Sequence, residues 1–350
     1  MKILVTGNMG YIGPSVVRQL RRSYPEATIV GLDIGYFAHC LTTEGILPEC
    51  RVDLQYFLDV RQTPKEILEG VEAVVHLAAI SNDPMGNRFE EITLDVNHQG
   101  SVTLAKKAKE AGVKTFVYAS SCSMYGAAED SARTEASPLN PLTAYAKSKV
   151  FTERDLGPLA AGGFKVTSLR FSTACGMSDR LRLDLVLNDF VAGAVASKGI
   201  TILSDGTPWR PLINVKDMAR AIDWAIGRKV TAGGDFLAVN VGSNEWNYQV
   251  KDLAEAVATV IPGVNVSINK DAQPDKRSYR VCFDLFKRLA PNHQPEVDLK
   301  TTVKELWMGL KTIGFMDGDF RNSNFMRLKV LTNLIDRGLL NENLIWTDHQ

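Results

Sequence analysis

The chain opens on a short apolar run that leads directly into a glycine pattern, and this feature limits what the fold can be. Residues 1–5 read Met-Lys-Ile-Leu-Val, and Gly7, Gly10 and Gly13 follow before an amphipathic stretch. Glycines between a buried strand and a helix allow a tight turn in which the backbone approaches a phosphate closely. The helix that follows offers its unpaired N–H groups to the same anion. The opening therefore predicts a dinucleotide-binding βαβ unit.

Short apolar strands and amphipathic helices alternate through the first half of the chain. Most strands are continuous Val, Ile and Leu runs, which is typical of a parallel sheet covered on both faces. The predicted strands are Ile3–Thr6, Thr28–Asp33, Val52–Phe57, Ala73–Leu77, Thr115–Ala119 and Val166–Arg170. The predicted helices are Ile12–Ser23, Pro64–Leu68, Ile92–Gly112 and Thr143–Leu156. We expect an α/β fold with a Rossmann-type, doubly wound parallel sheet.

The pattern loosens from about Phe171, where loops containing glycine and proline separate further helices. Helices are predicted at Leu185–Lys198, Val215–Gly227, Gln249–Val260 and Phe325–Arg337, and Phe236–Val241 reads as a buried strand. We expect a dinucleotide-binding Rossmann domain over residues 1–170, rejoined by 236–242. Residues 171–350 are expected to form a smaller, discontinuous α/β domain for the substrate, with the active site in the cleft between the two. The tail after Lys300 suggests no role.

Charge and cysteine usage narrow the range of partners. Lys plus Arg and Asp plus Glu both number 40, so nothing favours nucleic acid or an anionic membrane as a partner. No apolar run approaches the roughly 20 residues that span a bilayer. The five cysteines show neither a C-x-x-C pair nor a histidine spacing typical of zinc, so no metal is expected. Reduced thiols and an opening strand in place of a targeting peptide predict a cytoplasmic protein.

Tyr145 and Lys149 are four residues apart, which places both side chains on one face of a helix. A phenol has an ordinary pKa of about 10 and is a poor base at neutral pH. One ammonium about 4 Å away at an effective dielectric near 20 contributes about 4 kcal/mol, enough to bring that pKa to about 7. The pair therefore predicts an acid/base that moves a hydroxyl proton while a hydride leaves the same carbon.

Further residues at strand ends indicate which dinucleotide is bound. Asp33 ends the second strand about 20 residues after the last glycine, where a carboxylate binds the adenosine ribose diol and repels a 2′-phosphate. This favours NAD over NADP. Asp59-Val60-Arg61 follows the third strand and is a candidate for the adenine edge, with a surface ion pair as the alternative. In His76-Leu-Ala-Ala79 the small residues would let the chain pass close to the phosphates, and His76 itself reads as a core residue.

As a set, these motifs resemble the extended short-chain dehydrogenase/reductase family and, within it, the NAD-dependent nucleotide-sugar epimerases and dehydratases. They follow the family's order and spacing from residue 1 to about 285: Thr6–Gly13, Asp33, Asp59-Val-Arg61, His76-Leu-Ala-Ala79, Ser120–Gly126 and Tyr145-x-x-x-Lys149. The resemblance implies that Tyr145 is the acid/base, that Lys149 assists it and holds the nicotinamide ribose, and that Ser121 hydrogen-bonds the sugar oxygen being oxidised. It also implies NAD contacts from Gly7, Asn8, Met9, Gly10, Tyr11, Ile12, Gly13, Asp33, Asp59, Val60, Leu77, Ala78, Ala79, Asn97, Ser120, Tyr145 and Lys149.

The second half carries the residues expected to hold the substrate. The segment Ser204–Asp217 resembles the family segment in which an arginine, here Arg210, grips the diphosphate of a nucleotide sugar. A guanidinium suits this task because its fork donates two parallel hydrogen bonds to phosphate. Arg277 is favoured over Arg280 as a second phosphate-binding arginine. The remaining substrate candidates are Ser121, Ser123, Thr173 and Arg182, for the last of which the alternative is a solvated surface cluster.

Two departures from the family pattern bear on the reaction. Thr173 stands where many members have an asparagine that touches the sugar nucleotide. Cys122 and Ser123 stand where 4,6-dehydratases have the Asp and Glu that eliminate water, and Cys122 reads as core filler. We therefore expect a 4-epimerase that works through a transient 4-keto sugar with enzyme-bound NAD. The alternatives are a net 4-dehydrogenase or 4-ketoreductase, then a 4,6-dehydratase, and a non-catalytic NAD-binding scaffold.

A homodimer is implied by the resemblance, since relatives commonly pair through the helices that match Ile92–Gly112 and Thr143–Leu156. Such a four-helix bundle needs apolar residues on the outward faces of both helices. Val102, Ala105, Val150 and Phe151 could supply them, or could pack inward on the sheet.

Overall fold

The computed structural model describes residues 1–43, 45–127, 131–269 and 278–347. Within these residues the strands are β1 (Lys2–Thr6), β2 (Thr28–Asp33), β3 (Leu54–Phe57), β4 (Ala73–His76), β5 (Thr115–Ser121), β6 (Lys165–Phe171), β7 (Thr173–Cys175), β8 (Gly199–Ile202), β9 (Trp209–Asn214), β10 (Phe236–Val241), β11 (Asn247–Gln249) and β12 (Asn265–Ile268). The α-helices are α1 (Gly13–Ser23), α2 (Asp83–Arg88), α3 (Glu90–Leu94), α4 (Ser101–Glu110), α5 (Ala144–Leu156), α6 (Val186–Ser197), α7 (Val215–Gly227), α8 (Val250–Val260), α9 (Asp284–Leu289), α10 (Leu299–Thr312) and α11 (Arg327–Asp336). None of the helices in these ranges combines the length and the apolar character needed to cross a bilayer.

Seven strands form one sheet in the described part of the chain, in the order β3-β2-β1-β4-β5-β6-β10. Every pairing in this sheet is parallel. The order of the first six strands is that of a Rossmann fold, so the predicted α/β class with a doubly wound parallel sheet is confirmed. The strand order reverses between β1 and β4, and ligands of such sheets bind in the crevice beyond the carboxyl ends of the strands at that point.

The second half of the chain is joined to the first by shared structure. β10 pairs with β6, with Phe236 beside Val166, and so extends the large sheet. The other strands form two small sheets, β11-β9-β7 and β12-β8. One apolar cluster runs from Ile3 and Val5 in β1 into α6, α7, α8 and α10, so both halves contribute to the same core. The division into two domains at residue 170 stays a prediction.

Two predicted helices differ from the structure. The stretch predicted as one helix, Ile92–Gly112, consists of α3, a π-helical turn at Asp95–Gly100, and α4. Asn97 lies buried in this turn and bonds both backbone groups of Ile80, with its Oδ1 accepting from the N–H at 2.8 Å and its Nδ2 donating to the carbonyl at 2.9 Å. This tie to a neighbouring loop accounts for a turn that apolar spacing alone does not reveal. The stretch Pro64–Leu68 is a short 3₁₀ turn, Lys65–Leu68.

A buried ion pair fixes α5, the helix that carries Tyr145, to the large sheet. Arg170 in β6 donates to both carboxylate oxygens of Glu153 in α5 at 2.7–3.1 Å, and also to the Tyr125 hydroxyl at 3.1 Å. Both partners of the pair are less than a tenth exposed. Loss of one partner would leave an uncompensated buried charge, which is strongly destabilising. The position of Tyr145 therefore depends on a contact made more than two turns further along the helix.

Candidate active site

A cleft of about 1100 Å³ opens beyond the carboxyl ends of the central strands. Its floor is formed by residues that follow β1, β2, β4 and β5, and its walls include residues of β7, β8, β9, α6 and the C-terminal segment. This is the crevice in which a fold of this strand order binds its ligands. This volume is larger than that of a typical pocket for one small molecule, so the cleft has room for a dinucleotide and a second ligand.

The turn after β1 packs directly against the turn after β4. Gly7 has a φ of +73°, and a Cβ placed on it would lie 2.6 Å from the Ala78 amide nitrogen. Gly10, Tyr11 and Ile12 line the cleft beside it, and α1 begins at Gly13. This cradle of exposed backbone at a helix N-terminus fits a pyrophosphate.

Three of the predicted NAD-contacting residues in this turn are not part of the cleft wall: Asn8, Met9 and Gly13. The Asn8 side chain turns away and donates to Gln55 Oε1 at 2.6 Å. The Met9 side chain is buried, and its N–H donates to Asp33 Oδ2 at 3.0 Å. These residues hold the shape of the turn, and Asn97 does the same for the loop after β4 through its bonds to Ile80.

Asp33 lies at the end of β2 and faces the cleft. Its two carboxylate oxygens accept hydrogen bonds from the N–H groups of Met9, at 3.0 Å, and Gly35, at 2.8 Å. Burial raises the pKa of this carboxyl, and both hydrogen bonds oppose the rise. Because each oxygen has further accepting capacity, the carboxylate can bind a ribose diol, while a phosphate at that position would be repelled.

The ends of β3 and β4 also contribute residues to the cleft. Asp59 and Val60 line the cleft, and Arg61 pairs with both Asp59 and Asp95 beside them. Leu77, Ala78 and Ala79 also line the cleft. His76 is a core residue, as predicted. Its ring nitrogens contact the hydroxyls of Thr6 at 2.6 Å and Ser101 at 2.7 Å, and burial lowers its pKa to about 3.

Tyr145, Lys149 and Ser121 meet in this cleft. Tyr145 lies in the first turn of α5, and Ser121, the last residue of β5, hydrogen-bonds its phenol. The Lys149 ammonium lies 5.4 Å from the centre of the Tyr145 ring and donates to the Ala119 carbonyl at 2.7 Å. The arrangement places a proton-carrying phenol and a second hydroxyl side by side at the cleft wall.

The expectation that Lys149 lowers the pKa of Tyr145 to about 7 is wrong for the protein alone. Burial raises the pKa of Tyr145 to about 12, although the Ser121 hydrogen bond and the Arg182 charge oppose the rise. Burial also lowers the pKa of Lys149 to about 7. The reason is that both groups leave water together, and burial disfavours the charged form of each.

This shift makes Lys149 costly to the fold at low pH. The folded-state pKa of about 7 lies below the ordinary value of 10.5, so the penalty is fully present below about pH 7 and fades as the pH rises towards about 10.5. Lys149→Met should therefore stabilise the NAD-free protein by up to about 5 kcal/mol near pH 6 and by less than about 1 kcal/mol near pH 10. Urea unfolding of the variant and the parent protein at both pH values measures the difference in free energy of unfolding. An equal difference at the two pH values would contradict the prediction.

Most of the residues predicted to hold a substrate line the same cleft as the glycine turn. Arg210, in β9, lines the cleft and donates to the Trp209 carbonyl at 2.9 Å. Thr173, in β7, and Ser123, after β5, also line it. The hydroxyl oxygens of Ser120 and Ser123 are buried and have no hydrogen-bond partner among the described residues. Buried polar atoms normally have a partner, so these two hydroxyls fit side chains that hydrogen-bond a ligand. The predicted Arg277 lies outside the described residues.

Arg182 is a buried member of the cleft wall, so the alternative of a solvated surface cluster is wrong. Its guanidinium donates to Asp184 at 2.5 and 2.8 Å and to the Ser81 hydroxyl at 2.7 Å. Asn82 donates to the same carboxylate at 2.8 Å. Sequence reasoning missed Ser81, Asn82 and Asp184. The alternation of charged residues with leucine over residues 180–184 predicts an exposed charged face, whereas the structure buries both arginines with the leucines, so no local signal identified these residues.

Cys122 is fully buried in an apolar cluster with Tyr125, Tyr279 and Phe283. Burial raises the pKa of its thiol, and the sulfur donates to the Arg170 carbonyl at 3.0 Å. The interpretation of Cys122 as core filler is thus consistent with its surroundings, since a reactive cysteine needs access and an electropositive environment.

Comparison with known proteins agrees with this geometry. The model of the NAD dependent epimerase/dehydratase family matches residues 3–242. An uncharacterized UDP-glucose epimerase, YtcB, of Bacillus subtilis strain 168 is 29% identical over 70% of this chain and 78% of its own length. The UDP-glucose 4-epimerase of Lactobacillus helveticus is 26% identical over 79% of this chain and 87% of its own length.

A solved structure shares the fold over nearly the whole chain. The UDP-glucose-4-epimerase of Stenotrophomonas maltophila, with bound NAD and formylated UDP-arabinopyranose, superposes with a TM-score of 0.76 at 21% identity. The match covers 90% of this chain and 99% of that one. Together with the family match over the sheet and the glycine turn, this establishes that the chain belongs to the NAD dependent epimerase/dehydratase family, of the extended short-chain dehydrogenase/reductase type, with NAD as its cofactor.

Proposed function

We propose that the protein is a nucleotide-sugar epimerase of the 4-epimerase type. The observation that carries the proposal is the meeting of Tyr145, Ser121 and Lys149 in one cleft with the NAD site, where no acid pair follows Ser121. The relatives named as a UDP-glucose epimerase and a UDP-glucose 4-epimerase support the same substrate class. In this proposal Arg210 holds the diphosphate, since it lines the cleft that also contains Tyr145 and the glycine turn.

The chain's own residues would move the proton. Bound NAD supplies a hydride acceptor and a positive charge that favours the phenolate of Tyr145. The Ser121 hydroxyl would orient the sugar hydroxyl, and Tyr145 would take its proton as the hydride leaves the same carbon. The 4-keto sugar would turn in the cleft, and Tyr145 would return the proton when the hydride comes back on the other face.

The dehydratase alternative lacks the acid pair that would follow Ser121. Cys122 is buried away from the cleft, and Ser123 has only a hydroxyl. Of the nearby carboxylates, Asp83 accepts from the Thr143 hydroxyl at 2.7 Å, and Asp184 is held by Arg182 and Asn82. Elimination of water needs a carboxyl group that can give and take a proton, and these two are engaged as acceptors.

Incubation with UDP-, GDP-, CDP- and dTDP-hexoses tests the proposal. We expect one or more of these sugars to be converted to its 4-epimer, seen by NMR of the anomeric and H4 protons, without net reduction of the cofactor. Stoichiometric NADH would indicate the net 4-dehydrogenase instead, and a 4-keto-6-deoxy product would indicate the dehydratase. A protein that binds NAD but converts none of the sugars would favour the scaffold.

A homodimer and a cytoplasmic location remain proposals. Of the four candidate interface residues, Ala105 packs in the core and Val102 is buried, so neither offers an outward face. Val150 and Phe151 are partly exposed on α5, and the Phe151 ring lies edge-on to His98 at 5.7 Å. We infer that a dimer would use this face of α5, and a mass of 38.5 kDa in solution would contradict it.

A further inference from the structure

The C-terminal segment contacts the loop that follows Asp33. We use the term C-terminal strap for residues 320–347, which comprise α11 and its flanking segments. The Tyr36 hydroxyl donates to the Leu344 carbonyl, and the Trp346 indole N–H donates to the Ile34 carbonyl at 2.8 Å. The rings of Tyr36 and Trp346 are 5.8 Å apart. Since Ile34 and Tyr36 line the cleft, the strap supports the wall next to the ribose-binding carboxylate.

Apolar packing extends this contact along α11. The strap buries its side chains against residues that follow β2 and β4, in a cluster separate from the main core. The members are Cys40, Ile80, Met85, Phe89, Val330, Leu331, Leu334, Leu340 and Leu344, with Tyr36 and Phe37 packed against them. The strap is therefore an integral cover of this side of the cleft.

The strap also contacts the segment that carries Arg182. Arg327 is 1% exposed, and its guanidinium lies 4.8 Å from the centre of the Phe37 ring. It donates to the carbonyls of Arg180 at 2.8 Å and Leu181 at 3.2 Å, directly before Arg182. Arg321 makes a two-pronged contact with Asp189 in α6, at 2.7 and 2.9 Å. One continuous segment thus contacts the loop after β2 and also the residues next to Arg182 and Asp189, both of which line the cleft.

We propose that the C-terminal strap is a positioning element that holds the loop after Asp33 over the adenosine half of NAD and so slows release of the cofactor. The inference rests on the proposed function for its purpose, because an epimerase must keep the reduced cofactor until the hydride is returned. The effect of the strap on NAD release, by contrast, does not depend on which sugar is the substrate. Leu344 and Trp346 act through Ile34 and Tyr36, which line the cleft, so they are positioning residues.

Trp346→Ala tests the strap with little risk to folding, because Trp346 is 40% exposed. The change removes one hydrogen bond and one aromatic contact, and we expect NADH to leave about 5–10-fold faster. Release is followed by the loss of NADH fluorescence after mixing the loaded protein with excess NAD. Trp346→Phe keeps the ring contact with Tyr36 but lacks the indole donor, so it should give a smaller increase.

Ile345→Ala is the matched control, since Ile345 is also 40% exposed and neighbours Trp346 but is not part of the apolar cluster. We expect its release rate to equal that of the parent protein. Melting of each variant without cofactor checks that the fold is kept. Equal release from the Trp346→Ala variant and the parent would overturn the strap proposal. Faster release with no epimer formed by the parent would leave the strap intact and refute the proposed function.

Discussion

Tyr145→Phe should reduce turnover of the nucleotide sugar by a factor of about 10²–10⁴, because it removes the group proposed to carry the proton. The ring, its position in the first turn of α5 and the ion pair that anchors this helix are unchanged. NAD binding should therefore change little, and the loss should appear in kcat more than in KM. Steady-state kinetics with the sugar found in the panel, together with calorimetric titration of NAD, measure both quantities.

Tyr118→Phe provides the control for a lost phenol. Its ring lies 4.8 Å from the Lys149 ammonium, and like Tyr145 it is close to the centre of the site, but it is not part of the cleft wall. We expect it to retain most of the turnover. If both variants kept normal rates while binding NAD, a residue other than Tyr145 would have to move the proton.

Much of the fold was predictable because its signals are local. Continuous apolar strands, the glycine turn and the acidic end of β2 each occupy a few consecutive residues, and parallel order follows from their alternation with helices. The return of β10 to the sheet was indicated by a buried strand pattern, and pairing with β6 agrees with it. The π-helical turn at Asp95–Gly100 was missed, and the side chain at its centre, Asn97, is engaged with Ile80, a partner that apolar spacing does not reveal.

The pKa values of the site residues could not be predicted from their spacing in the sequence. A four-residue interval correctly places Tyr145 and Lys149 on one face of α5, yet it says nothing about how much water each group loses. The two pKa values move in the directions set by burial, opposite to those expected from a pair in contact with solvent. Arg182 is a further example, since its buried guanidinium donates to Ser81, a residue about 100 positions earlier, and to Asp184.

The role of the residues after Lys300 could not be predicted from the sequence either, because it depends on long-range contacts. Nothing in residues after Lys300 marks them as part of a cofactor site, because the strap contacts the cleft through partners some 300 residues earlier, such as Ile34. A helix prediction for Phe325–Arg337 located α11 to within two residues, but not the surface that it covers. Such long-range packing becomes visible only when the sheet has brought β2 and β4 side by side with β1.

Gly7→Ala should weaken NAD binding by about 100-fold or more, because the turn that would hold the pyrophosphate cannot accept a side chain. A Cβ on Gly7 would lie 2.6 Å from the Ala78 nitrogen and 2.8 Å from the Leu77 carbonyl carbon. Both are backbone atoms, so the turns after β1 and β4 must separate, and backbone N–H groups would no longer meet the phosphate at hydrogen-bond distance. Calorimetric titration of the stripped protein with NAD measures the loss.

Gly70→Ala separates this collision from simple backbone strain. Gly70 has a φ of +69°, close to the +73° of Gly7, but nothing lies within 4 Å of the position its Cβ would occupy. Both substitutions force alanine into the left-handed region at a cost of about 1–2 kcal/mol of stability. Only Gly7→Ala should also disturb the cofactor site, so NAD affinity should be normal in the Gly70→Ala variant. If the two variants lost NAD affinity to the same extent, general destabilisation would explain the loss and the pyrophosphate cradle would have to be placed elsewhere in the cleft.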